Sequence, residues 1–182
     1  MSGRLGFLAA ILALSGCNIV PSRVPLGESL PAGTAHTLEG QRIRFPDALA
    51  EGPTVLAIAY TDEASVDARR WIEAIGNGTP KTRAWLMRAC PGTIGILLSP
   101  FIDEGERKRR PEADRTVTVT AYGDLADAIA TQTGMGKAEL ARVLLVREDG
   151  VIAWFCDTGF ADDRVADLLA NLSDRGDSAG SR

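Results

Sequence analysis

The chain has 182 residues, of which 45% are hydrophobic and 24% charged, with a formal net charge of −4. That length supports one domain with a real core, and that balance excludes a disordered chain. The acidic balance argues against a nucleic-acid partner, and the spacing of Cys17, Cys90 and Cys156 forms neither a disulfide framework nor a metal-ligand cluster.

The N-terminus carries Arg4, an apolar run from Leu5 to Leu14, and then Leu14-Ser15-Gly16-Cys17. The run is too short to span a bilayer as a mature helix. The four closing residues resemble the lipobox of bacterial lipoproteins. That resemblance implies that residues 1–16 are a signal peptide and that Cys17 carries the acyl chains (palmitate among them). It places the protein in a bacterial cell envelope, facing the periplasm and held on the membrane without a spanning helix. An ordinary secretory signal with a chance cysteine is the other reading. Residues 17–33 hold Pro21, Pro25 and Pro31 and little periodicity, and are expected to be a flexible tether.

A domain over 34–172 is expected next. Residues 35–45 alternate loosely around Glu39-Gly40 and predict a β-hairpin. Pro46 to Leu49 predicts a short helical turn. Thr54 to Tyr60 is apolar and partly β-branched, the pattern of a strand buried on both faces. Thr61 or Asp62 can cap the helix that follows, and Asp62 and Glu63 suit the positive end of its dipole. Its predicted buried side holds Val66, Ala68, Trp71, Ile72 and Ile75, and Gly76-Asn77-Gly78 stops it. Thr79-Pro80 reads as a second helix start, with Lys81 to Ala89 helical and Trp85, Leu86 and Ala89 buried. Thr93 to Ser99 reads as a second buried strand, and Pro100 to Arg115 as a charged surface helix or loop.

Thr116 to Ala121 is rich in β-formers, and a helix is expected from Asp124 to Thr133. Arg142 to Val146 predicts a third buried strand, turning at Arg147 to Gly150 into an antiparallel strand from Val151 to Asp157. Ala161 to Leu172 predicts a last helix burying Val165, Leu168, Leu169 and Leu172. A disordered tail is expected over 173–182. The right-handed crossover rule then places the Thr54 strand between the Thr93 and Arg142 strands, with Val151 to Asp157 at an edge.

Three segments in this order resemble the thioredoxin-like superfamily: Gly40 to Phe45, Gly52 to Tyr60 and Leu144 to Trp154. The nearest branch is the redoxin and TlpA-like group. The resemblance implies an α/β fold, a mixed sheet flanked by helices with an N-terminal β-hairpin. Enzymes of that superfamily carry Cys-x-x-Cys at the start of the first core helix, where the dipole lowers a thiol pKa. The matching stretch, Asp62 to Asp67, holds no cysteine, and none lies between Cys17 and Cys90. Peroxiredoxins need a cysteine three residues after a threonine; here Ala64 stands at that distance from Thr61. The cis-proline expected before the third core strand is missing from Leu140-Ala141-Arg142.

The resemblance therefore implies a scaffold without its dithiol and no cofactor, in a protein-binding or assembly role toward another envelope protein. Tyr60, Thr61, Asp62 and the loop before Ala141 form its candidate binding mouth. The run Val151 to Trp154 and Gly159-Phe160-Ala161 resemble, more weakly, a cysteine-free thioredoxin-like group that helps assemble the membrane sector of ATP synthase. The alternative is a single-thiol oxidoreductase using Cys156 or Cys90. Those two thiols are expected about 14 Å apart across the sheet, too far for a disulfide. His36, the only histidine, has no cysteines near it to complete a metal site. The basic run Arg107 to Arg110, flanked by Glu104, Glu106 and Glu112, reads as a solvated helix face.

Overall fold

The computed structural model of the chain describes residues 20–78 and 82–173. In order these form β1 (Gly33–Thr37), β2 (Arg42–Phe45), a 3-10 turn (Asp47–Leu49), β3 (Thr54–Ala59) and α1 (Asp62–Gly78). Then come β4 (Arg83–Cys90), α2 (Thr93–Arg109), a second 3-10 turn (Glu112–Asp114), β5 (Thr118–Tyr122) and α3 (Gly123–Thr133). The chain closes with β6 (Arg142–Val146), β7 (Ile152–Cys156) and α4 (Asp162–Ser173). The strands make one mixed sheet in the order β2-β1-β5-β4-β3-β6-β7.

β3, β4 and β5 are parallel, β6 is antiparallel to β3, and β7 is antiparallel to β6. Every residue of β3 is buried, because helices cover both faces of the strand. On one face Leu56 and Ile58 pack with Met87, Leu144 and the α3 residues Leu125 and Ile129. On the other, Val55 and Ala57 pack with Leu86, Val143, Leu145, Trp71 of α1 and Leu168 of α4. Trp71 stands edge-on to both Trp154 and Phe160, which ties α1 to β7 and to the lead-in of α4.

The hairpin, the central strand, the antiparallel β6–β7 pair and the final helix lie where the sequence placed them. Two elements are exchanged. The expected helix over Lys81 to Ala89 is the strand β4. Trp85, Met87 and Ala89 face the α3 side while Leu86 faces α1, so burial on both sides removes the alternation that marks a strand. The expected strand over Thr93 to Ser99 is the first half of α2. A short apolar run cannot be assigned by period alone, and Gly92, at φ 82, turns the chain out of β4 into a helix. β3 is therefore central as expected, but its parallel neighbour is β4.

Three smaller corrections follow. Val66 faces solvent at 57% exposure, because its position on α1 points away from the sheet. Glu106 and Arg110, expected on a solvated face, are buried as an ion pair one helical turn apart. The expected tether is docked from Val20 onward. Gly27 N–H donates to Ile152 O, Leu30 N–H to Gly150 O, Ile152 N–H to Glu28 O and Met135 N–H to Val20 O. Leu30 enters the core, so the domain begins well before residue 34. The signal peptide, Cys17 and nearly all of the expected tail fall outside the described residues.

Candidate functional site

β3 and β4 finish at the same end of the sheet, and the elements leaving that end converge there. Thr61 caps α1: Ala64 N–H donates to its Oγ1 at 3.2 Å. The same hydroxyl donates to Ala138 O at 3.2 Å, joining the helix tip to the loop before β6. Asp62 follows at the first position of the helix. Its Oδ1 meets Arg88 Nη2 at 3.1 Å and its Oδ2 meets Arg109 Nη1 at 2.9 Å. Arg88 also donates to Ser65 Oγ at 3.4 Å.

Behind Asp62, Arg110 donates through Nε to Glu106 Oε2 at 2.8 Å. The cluster therefore sets three guanidinium groups against two carboxylates around a positive helix end. The two contacts of exposed Asp62 are each worth at most about 1 kcal/mol. The buried Glu106–Arg110 pair is the firmer one, since stripping one partner from such a pair costs about 3–5 kcal/mol. The helix tip thus holds an ion-paired carboxylate where the resemblance would place a thiol.

Of the four residues expected in the mouth, Thr61 and Asp62 reach the surface. Tyr60 points inward beneath α3, its hydroxyl 2.9 Å from Thr133 Oγ1. Burial pushes its phenol up to about 12, against the smaller pull of Thr133 and Arg142. Ala141 is fully buried, and its N–H donates to Asp67 Oδ2 at 3.0 Å. Asp67 Oδ1 accepts Phe160 N–H at 2.9 Å. One α1 carboxylate thus takes up two backbone donors, the N–H groups of Ala141 and Phe160.

Arg142, absent from the sequence-based candidates, is fully buried at the start of β6. It donates to Lys137 O, and to Leu140 O at 2.8 Å, and lies 5.7 Å from the Tyr60 ring centroid. Burial lowers its pKa. The only sequence signal was a guanidinium opening an otherwise apolar strand.

The two thiols lie apart. Cys90 closes β4 and Cys156 closes β7, three strand steps away in the sheet, and both are free. Burial raises the Cys90 pKa and outweighs Arg88. Nearby, Tyr122 donates to Asp103 Oδ1 at 2.7 Å, and burial plus that carboxylate drive the phenol far above its ordinary range. Cys156 is buried, its Sγ 3.4 Å from Thr158 Oγ1.

α2 adds a surface that the sequence reading missed. Ile94, Leu97 and Phe101 are 73%, 75% and 77% exposed, and Leu98 is also exposed. They follow at i, i+3, i+4 and i+7, a helical spacing hidden in a run that also suits a strand. Pro100 removes the donor due to Ile96 O, and the Ser99 hydroxyl takes that carbonyl at 2.9 Å, so the helix continues.

No protein-family model matches the sequence, and no curated protein matches it. Solved structures do. A SCO1/SenC family lipoprotein from Bacillus anthracis aligns at TM-score 0.56 and 12% identity, over 84% of this chain and 99% of that one. BsSco, a member of the Sco family of cytochrome c oxidase assembly proteins, aligns at 0.56 and 9% identity, over 83% and 97%. The exposed lipoprotein thioredoxin Etrx1 of Streptococcus pneumoniae aligns at 0.54 and 10% identity, over 77% and 98%. Likeness at such low identity speaks for the fold, and the fold is thioredoxin-like.

Proposed function

We propose that this thioredoxin-like chain is a lipid-anchored envelope protein that binds or helps assemble another envelope protein and carries out no thiol exchange. The observation behind this reading is Asp62, held by Arg88 and Arg109 at the tip of α1. A carboxylate there repels a thiolate, and the stretch from Thr61 to Asp67 has no sulfur to ionise. Two of the structural counterparts are themselves lipoproteins, which agrees with an anchor on Cys17. The partner-facing surface is the α1 tip, where Thr61 and Asp62 are accessible.

A single-thiol enzyme would need a depressed thiol pKa, and burial moves Cys90 the other way. Turnover of insulin disulfides by the purified protein is expected to match the uncatalysed background. Reduction at enzyme-like speed, lost in Cys90→Ser or Cys156→Ser, would overturn this reading. Mild crosslinking in native membranes is expected to trap a partner with the wild type and much less of it with Asp62→Arg. An unchanged yield would remove the α1 tip as the binding surface.

A further inference from the structure

We propose that the exposed apolar face of α2 lies in the interface of the membrane that carries the lipid anchor. The inference rests on the anchor reading above and adds the orientation of the domain. The first described residues do not leave the domain freely. Met135 N–H donates to Val20 O, and Gly134 packs so tightly on Pro21 and Ser22 that a Cβ there would overlap them. Cys17 is three residues before Val20, so it lies within about 11 Å of it. A leash that short keeps the 134–136 loop close to the bilayer.

α3 links this loop to α2. Its first residue, Gly123, packs against Ile96, since a Cβ there would sit 3.1 Å from Ile96 Cδ1; its last turn leads into Gly134. Eleven residues of helix span about 16 Å. The anchoring point and the apolar face therefore flank one short helix.

Charge favours lipid as the occupant. From Pro91 to Ile102 the chain has no charged residue, and from Val20 to Gly27 the only one is Arg23. In a chain of net charge −4, neither segment carries a carboxylate of its own, and Arg23 pairs with Glu28 just beyond the first, which suits apposition to anionic headgroups. Apolar side chains at Ile94, Leu97, Leu98 and Phe101 then give the second membrane signal that supplements acyl chains.

Trp71, Trp85 and Trp154 are all buried, so a tryptophan placed on α2 reports separately. The test uses the mature, lipidated Leu97→Trp protein in phosphatidylethanolamine–phosphatidylglycerol vesicles, with or without brominated acyl chains. Brominated lipid is expected to quench about half or more of the added emission, as for a residue seated at the headgroup–acyl boundary. Glu73→Trp, exposed near the far end of α1, should be unaffected. Adding Phe101→Glu and Ile94→Glu to Leu97→Trp should remove most of the quenching while the protein still floats with the vesicles.

Flotation without quenching at position 97 overturns the inference and leaves the anchor standing. Crosslinks between two copies through position 97 would then assign the face to self-association, and crosslinks to a membrane protein would assign it to that partner. Loss of flotation in the wild type, with no lipid on Cys17 by mass, overturns the anchor and the inference together.

Discussion

Asp67 holds the site together more than any residue exposed in it. Its two carboxylate oxygens take the N–H groups of Ala141 and Phe160, from the loop before β6 and the lead-in to α4. Asp67→Ala leaves two backbone donors unpaired and is expected to cost about 2–4 kcal/mol in urea unfolding. Asp62→Ala, which removes two ion pairs made by an exposed carboxylate, should cost under about 2 kcal/mol in the same experiment. Tyr60 gives a pH signature. Its phenol is raised from 10.0 to about 12, so the unfolded chain loses that proton first. The stabilisation is complete below pH 10 and falls away as pH climbs to 12, by about 3 kcal/mol. Unfolding measured across that window should show the slope in the wild type and a flatter one in Tyr60→Phe.

At the scale of elements, β4 and α2 carry the lesson. From the sequence alone β4 reads as a helix and the apolar first half of α2 as a strand. Their junction is tight: a Cβ on Gly95, in the first turn of α2, would overlap the carbonyl oxygen of Cys90 at the end of β4. Gly95→Ala is expected to displace the helix start and cost about 1–3 kcal/mol, read by thermal or urea unfolding. The β1–β2 hairpin, β3, β6–β7 and α4 were legible because each combines an apolar pattern with a turn or cap signal at its ends. β4 and the start of α2 have apolar content without a decisive period. Only packing from both sides of the sheet identifies β4, and only the turn at Gly92 releases α2.

For the whole molecule, the N-terminal segment matters most. Residues 27–30 hydrogen-bond to the start of β7 and bury Leu30, covering part of an edge that would otherwise be open to pairing. Upstream, Val20 to Ser22 close on Gly134, which has φ +73. Gly134→Ala meets both a strained backbone and the Pro21 carbonyl. It is expected to free the segment, seen as faster proteolysis ahead of Leu30 with the sheet intact by circular dichroism. An unchanged cleavage rate would mean that the docking does not depend on that contact.

The sequence by itself determined the central strand and the helix that follows it, because a doubly buried strand, a capped helix and the lack of any cysteine between Cys17 and Cys90 are local properties of the chain. It also placed Thr61 and Asp62 at the helix tip. Tertiary structure alone decided that Ala141 and Tyr60 face inward, that Asp62 is flanked by two arginines, and that the tether is bound to the domain. Those outcomes depend on residues far apart in the chain, such as Asp67 with Ala141 and Asp62 with Arg109, and no local pattern encodes which partner a polar group will meet.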